Sequence, residues 1–447
     1  MSAVSPARKA AFSILKTMEK HGHSDTLLRG RNVEILSEPD KRLTTALVLG
    51  VLRWQIELDL RLRPLLKHPN AKLDAEVLVA LRIGAFQILH MDRVPARAAI
   101  DESVELAKEA GHRFASKMVN AVLRKLATSV EEHAGEKGHA ACECGYPAWM
   151  VDRWTEAYGE EAAGAICRYG QEQPQLYVRL SSPDVGQELA GENVELRPGE
   201  FLNASRAVIT GDVTKSAAFR EGRVRIQDEG SQLIAELVPR ARKVLDCCAA
   251  PGGKTLILGE RNPEARIVAC DESDQRLADL RKRLSLLGNR VECRLADATQ
   301  LKEESAFDVV LADVPCSGTG TLGRNPEIRH RLRAEELPRQ AERQRAILRS
   351  ALRVVRPGGF VLYSTCSLEP EENEQVIEAL LSEVSGAQLV SLTTRVEDLR
   401  SEGILTEDGS KRLLGCVTFE GTLRLLPGMF QTDGFFAALI QCCGASL

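Results

Sequence analysis

No stretch of this 447-residue chain approaches ~18 uninterrupted apolar residues, so no membrane-spanning helix and no membrane partner are expected. The opening MSAVSPARKAAF carries no apolar signal region. Its twelve cysteines follow no disulfide-like spacing. Together these absences predict a reducing, cytoplasmic setting. The chain also lacks an internal repeat, a low-complexity tract and the G-x-G-x-x-G fingerprint of dinucleotide binding. Gly253-Lys254-Thr255 ends as a phosphate-cradling loop would, but Cys248 stands five positions earlier, where that loop needs glycine.

What is present reads as a globular chain of two or three domains, 44% hydrophobic and 27% charged. The net charge of −4 hides an asymmetry. Residues 1–130 hold 21 Lys+Arg against 14 Asp+Glu, a net of +7, and the rest hold 38 against 49, a net of −11. A basic module joined to an acidic one suggests that the first meets a polyanion. Apolar spacing through Ala10–Leu15, Thr45–Leu52, Ala75–Met91 and Phe114–Leu126 predicts an all-helical domain over 1–130. Residues 131–146 form a polar linker. Its His133, His139, Cys142 and Cys144 are zinc-ligand types, but Cys-x-Cys is tighter than the usual spacing and no metal site is expected. A small α/β subdomain is predicted over 147–235, with strands at 176–180 and 206–210.

From residue 236 to the end, strand and helix alternate as in a doubly wound sheet. Strands are predicted at 243–248, 266–271, 291–296, 307–313 and 358–364, with a last one at 434–440. Ligands of such sheets bind beyond the strands' carboxyl ends. Three features collect there. The turn Cys248-Ala249-Ala250-Pro251-Gly252-Gly253-Lys254 is built of small residues that let backbone amides approach a ligand. Asp271 ends the second strand, roughly 20 residues beyond that loop, where dinucleotide folds place a ribose-binding acid. Asp297 and Asp313 end the third and fourth. Asp also favours helix caps and turns. Taken together, the acids and the loop point to S-adenosylmethionine. Two cysteines follow strand ends as well, Cys316 in Asp313-Val314-Pro315-Cys316-Ser317-Gly318 and Cys366 in Ser364-Thr365-Cys366-Ser367. Two nucleophilic thiols at adjacent strand ends suggest that one forms a covalent bond and the other helps break it. The residues alone do not assign the two roles. Downstream, residues 324–356 carry ten Arg against four Asp+Glu, a strip suited to RNA phosphates beside the site.

These motifs resemble those of the RNA 5-methylcytosine methyltransferases: Cys248–Thr255 is similar to that family's cofactor loop, Asp313–Gly320 to its proline-cysteine motif, and Tyr363–Glu374 to its threonine-cysteine motif. Gln227–Gln232 and Asp433–Phe436 are similar to flanking signatures. Leu81–Leu89, Pro95–Val104 and Val119–Arg124 resemble the NusB-like RNA-binding fold. That combination is the arrangement of the bacterial 16S rRNA methyltransferase B family, and the resemblance covers nearly the whole chain. It implies a Rossmann-like S-adenosylmethionine-dependent methyltransferase domain at 236–447, preceded by the small α/β subdomain and an all-α NusB-like domain. It further implies methylation of carbon 5 of a cytosine in 16S ribosomal RNA, in an unpaired loop, with Cys366 as the nucleophile on carbon 6 and Cys316 assisting product release. Cys248, Ala249, Ala250, Pro251, Gly252, Gly253, Lys254, Asp271, Asp297 and Asp313 are the expected cofactor contacts. Methylation of transfer RNA, or a noncatalytic RNA-binding or ribosome-assembly role, are the alternatives. No stable protein partner is expected.

Overall fold

The computed structural model describes residues 4–19, 22–132 and 145–443, so the His133/His139/Cys142/Cys144 cluster lies outside the described residues. No helix among them is long and apolar enough to cross a membrane. The chain divides into two compact units: Met1–Glu156 with Cys167–Gln173 and Leu322–Arg331, and Ala157–Ile166 with Pro174–Thr321 and Leu332–Leu447.

The first unit is helical, as its apolar spacing predicts. Its main helices are Pro6–Met18, Glu38–Leu62, Ala75–His90, Ala96–Glu109 and Ser116–Glu132. Ser37 starts the longest by accepting the Asp40 amide, and Pro39 lies in the first turn, where its missing N–H costs nothing. Leu47, Val51, Leu81, Ile83 and Leu123 fill the core. Two glycines let the helices approach closely. A Cβ at Gly50 would lie 2.0 Å from the Phe86 ring, and one at Gly84 would lie 2.5 Å from the Leu123 side chain.

Leu322–Arg331, far away in sequence, completes this unit around one buried arginine. Arg329 is 1% exposed. Its guanidinium donates to the carbonyls of Gly145 at 2.9 Å, Arg53 and Gly170 at 3.1 Å, and Leu322 at 3.3 Å, and it lies 4.0 Å from the centre of the Tyr146 ring. His330 hydrogen-bonds the Leu52 carbonyl at 2.7 Å, and Arg331 donates to that of Met18 at 3.1 Å. This corrects the expectation that the 324–356 arginines form one RNA-facing strip. Arg329 and Arg331 hold backbone carbonyls within a fold, and Arg343, Arg349 and Arg356 pair with Glu272, Glu383 and Asp308.

The second unit contains two sheets. Strands β1 (Tyr177–Leu180), β2 (Glu195–Pro198), β3 (Ser205–Thr210) and β4 (Val224–Ile226) form an antiparallel sheet in the order β2-β3-β1-β4. The larger sheet contains β5 (Lys243–Asp246), β6 (Arg266–Asp271), β7 (Val291–Leu295), β8 (Phe307–Asp313), β9 (Val355–Thr365), β10 (Ala387–Val390), β11 (Leu423–Leu425) and β12 (Phe435–Cys442). Its order is β10-β12-β9-β8-β5-β6-β7, with β11 beside β12. Strands β5 to β9 are parallel and β12 runs antiparallel to β9. This is the expected doubly wound, Rossmann-like sheet. The strand order reverses at β5, so the crevice opens beyond the carboxyl ends of β5, β6 and β8. Ion pairs tie β1 of the smaller sheet to the helices Glu229–Leu237 and Gly253–Arg261 that flank the larger one: Arg179 reaches Glu236 at 2.8 Å and Glu260 at 2.9 Å, and Arg261 reaches Glu236 at 2.5 Å.

Removing Arg329 strips several buried carbonyls of their donor at once. Arg329→Ala is expected to destabilise the protein by at least about 3 kcal/mol. Arg333→Ala, at an exposed position of the same strip, is expected to change stability by less than about 0.5 kcal/mol. Urea denaturation of the two variants checks this, and equal midpoints would contradict it.

Candidate active site

Strand β5 ends at Asp246, and the chain turns through Cys247–Gly252 into the helix Gly253–Arg261. Gly252 adopts φ +100, a left-handed conformation that favours glycine, and a Cβ there would lie 2.7 Å from the Leu280 side chain. The turn is pinned to β6 by the Ala249 amide, which donates to the Cys270 carbonyl at 2.8 Å. The start of the helix, with its free backbone N–H groups, therefore lies at the strand ends.

Two adjacent cavities share this loop. One, of 210 Å³, is lined by Cys248, Ala250, Asp271, Asp297, Asp313, Cys316 and Cys366, among others. The other, of 120 Å³, is lined by Ala249, Pro251, Gly253 and Lys254 together with Gln227, Ser231 and Asp246. Cys248, Ala250 and Asp313 border both. Gly252 lines neither and acts as the hinge of the turn.

The acids differ in their surroundings. Asp271 is buried, and its Oδ1 accepts the Ser273 amide at 2.9 Å and faces Arg276 at 3.2 Å. Asp297 is exposed and also caps a turn, accepting the Thr299 hydroxyl at 2.7 Å and the Thr299 amide at 2.9 Å; these bonds hold its carboxyl below the usual range. Asp313 is engaged on both oxygens, by Lys254 Nζ at 2.7 Å and by Ser364 Oγ at 2.8 Å. Burial pulls the Lys254 ammonium down, but the Asp313 carboxylate outweighs it and raises the pKa above the ordinary lysine value. Sequence reasoning named both residues but missed this pairing across the crevice.

The two thiols meet. Cys316 Sγ and Cys366 Sγ are 3.4 Å apart. Parallel pairing places Asp313 of β8 opposite Ser364 of β9, and each thiol follows within three residues. Gly320 tightens the junction: its amide donates to the Cys366 carbonyl at 2.8 Å, its carbonyl accepts from Gly434, and a Cβ there would lie 2.5 Å from Gly434 O. The contact with Cys366 first, and burial second, push the Cys316 thiol well above the ordinary thiol pKa. The two sulfurs therefore resist ionising together. Behind the pair lies a polar network of Ser317, Ser367, Gln344 and Glu372 that sequence reasoning did not single out. Ser317, Ser367 and Glu372 lie inside the two cysteine motifs, whereas Gln344, on the helix Leu337–Val354, carried no sequence signal.

Asp246 is buried and accepts the Thr255 hydroxyl at 2.7 Å through Oδ2. Burial, aided by the nearby Asp313 charge, pushes its pKa up to about 7. A carboxyl raised in the folded state contributes stability at low pH that is lost as pH rises through about 7. Thermal denaturation of the wild type and Asp246→Asn should therefore shift in favour of the variant between pH 5 and pH 8. Parallel curves would contradict the shifted acid.

With this geometry in place, comparison with known proteins is direct. Residues 235–441 match the family described as 16S rRNA methyltransferase RsmB/F, and residues 5–128 match the NusB family. The probable ribosomal RNA small subunit methyltransferase B of Bacillus subtilis (strain 168) is 32% identical over 447 residues, covering 96% of each chain. The ribosomal RNA small subunit methyltransferase B of Escherichia fergusonii is 32% identical over 442 residues, covering 96% of this chain and 97% of its own. Among solved structures, PH0851 superposes with a TM-score of 0.77 at 25% identity, covering 98% of this chain and 99% of its own. A methyltransferase homolog protein from Pyrococcus horikoshii gives 0.54 at 28% identity, covering 67% of this chain and 96% of its own. A thiol pair at the switch point of a Rossmann-like sheet, a helical NusB-type region and near full-length similarity lead to one conclusion: the chain belongs to the ribosomal RNA small subunit methyltransferase B family.

Proposed function

We propose that this protein methylates carbon 5 of an unpaired cytosine in 16S ribosomal RNA through a covalent adduct between Cys366 and carbon 6 of the base. The observation that carries this reading is the 3.4 Å approach of Cys316 and Cys366 in a cavity shared with Asp271, Asp297 and Asp313. The cofactor of this methyltransferase is S-adenosylmethionine, which supplies an electrophilic sulfonium methyl group when bound. The donor set fits it: Asp271 and Asp297 suit ribose and adenine edges, and the small-residue loop Cys248–Gly253 admits a ligand close to backbone amides. Lys254 is committed to Asp313 in this arrangement; Asp313 borders both cavities and Lys254 the smaller one.

Carbon 5 of cytosine is a poor nucleophile. Addition of the Cys366 thiolate to carbon 6 makes the ring an enamine whose carbon 5 is electron-rich. Once carbon 5 carries the methyl group, its proton passes to solvent, the C5–H electron pair re-forms the 5,6 double bond, and the bond between carbon 6 and sulfur breaks to release Cys366 as thiolate. The contact between the thiols raises the Cys316 pKa, so the pair ionises one sulfur at a time and leaves a single thiolate to attack. The reaction requires a base outside the stack, which favours a loop over a duplex. The basic charge of residues 1–130 supports RNA contact by the NusB-like part.

Three variants separate the thiols. Cys366→Ala should abolish methylation and form no adduct with 16S rRNA. Cys316→Ala should attack and transfer methyl but stall, leaving an RNA–protein adduct that survives denaturing electrophoresis. The double variant should form none. An adduct found only with Cys366→Ala would exchange the roles, and full activity in all three would refute covalent catalysis.

A further inference from the structure

Behind both thiols lies a carboxylate that no step above uses. Glu372 is wholly buried, on the turn Pro370–Glu372 that follows the Cys366 loop. Its Oε1 accepts the Ser317 backbone amide at 2.9 Å and Gln344 Nε2 at 2.9 Å. Its Oε2 accepts the hydroxyls of Ser317 and Ser367. Ser317 is the residue after Cys316, and Ser367 the residue after Cys366. Gln344 also donates to the carbonyl of Pro315, the residue before Cys316, at 2.9 Å. One carboxylate thus grips both thiol-bearing loops, the Cys316 loop through main chain and side chain alike.

The arrangement is more demanding than packing requires. Both oxygens act as acceptors, as an ionised carboxylate allows. Among the described residues, no Lys, Arg or His forms an ion pair with Glu372. A buried charge without a counter-ion is costly, and only a full set of donated hydrogen bonds makes it tolerable. The backbone that carries it is itself held in place. Tyr363 Oη donates to the Glu372 carbonyl at 2.6 Å, and the neighbouring Asn373 donates to the Ser367 carbonyl at 2.9 Å while accepting from Thr365 Oγ1 at 2.6 Å. An apolar residue there would orphan the Ser317 amide and Gln344 Nε2 and would remove the one side chain that bonds to the residues after both cysteines.

We infer that Glu372 is a positioning residue that clamps the Cys316 and Cys366 loops together and fixes the separation of the two sulfurs. The inference rests on the covalent reading proposed above. Glu372 touches neither sulfur, so its removal should slow attack on the base without weakening cofactor binding.

The test uses full-length protein, S-adenosylmethionine and 16S rRNA transcribed with 5-fluorocytidine, whose carbon 5 cannot lose a proton, so that the adduct accumulates. Its rate of formation is read by denaturing electrophoresis under single-turnover conditions, and S-adenosylmethionine affinity by calorimetry. Glu372→Ala should form the adduct about 100-fold more slowly, the loss expected when a reacting group is misplaced by an ångström, with cofactor affinity unchanged. Glu372→Gln, which keeps the shape and one acceptor oxygen, should recover most of that rate. Should Glu372→Ala fail to fold, the Ser317→Ala/Ser367→Ala double variant decides the matter, because it releases both loops from an intact Glu372 and should also slow adduct formation. Adduct formation at the wild-type rate in whichever of these variants is folded overturns the clamp. So does a loss of rate matched by an equal loss of cofactor affinity, which would mark a general structural role. If the wild type itself forms no adduct, the covalent reading falls and the clamp with it.

Discussion

The contact between two sulfurs organises this site. Cys316 and Cys366 are 50 positions apart in sequence, yet their sulfurs are 3.4 Å apart because β8 and β9 pair in parallel and in a register that aligns Asp313 with Ser364. Register is the constraint. A shift of one residue in that pair would turn each strand's side chains to the other face and carry the thiols away from each other. The apolar faces of Val309–Ala312 and Val361–Tyr363, buried on both sides of the sheet, hold the register. Gly320, at which no Cβ fits, allows the loop carrying Cys316 to close over the strand end carrying Cys366.

The buried polar groups around the thiols divide the electrostatic work. Lys254 and Asp313 neutralise one another, and Ser364 occupies the second oxygen of Asp313. At Asp246, burial raises the pKa instead. Cys316, in contact with its neighbour and with Glu372 nearby, keeps its proton more firmly than a free thiol would. Two thiols in contact cannot easily ionise together, so the pair gives up its protons one at a time. In the helical unit, Arg329 shows the complementary solution: a buried cation with no carboxylate partner among the described residues, stabilised by carbonyl dipoles and the face of Tyr146.

Much of the fold was legible because its signals are local. The runs that became β5, β6, β8, β9 and β12 are continuous and apolar, and helical spacing marked Ala75–His90 and Glu38–Leu62. The short strands β10 and β11 and the helices Leu392–Ser401 and Glu407–Leu414 were not read, since three to ten residues of mixed polarity carry little periodicity. The return of Leu322–Arg331 to the helical unit was equally invisible, because Arg329 differs from its neighbours only in what surrounds it after folding. The same limit applied at the site. Sequence position placed Asp271, Asp297, Asp313 and both thiols at neighbouring strand ends, and the structure brings them to one cavity. It did not disclose that Asp313 is bound to Lys254 or that Glu372 bonds to both cysteine loops. Those are long-range hydrogen bonds with no periodic trace in the chain.

The most direct measurement of the central claim follows the hydrogen at carbon 5. With 16S rRNA carrying tritium at carbon 5 of its cytidines, methylation at that carbon should release tritium to water in step with methyl transfer, one atom for each methyl group incorporated. Methyl incorporation without tritium release would place the methyl group on another atom of the RNA and contradict covalent catalysis by the paired thiols.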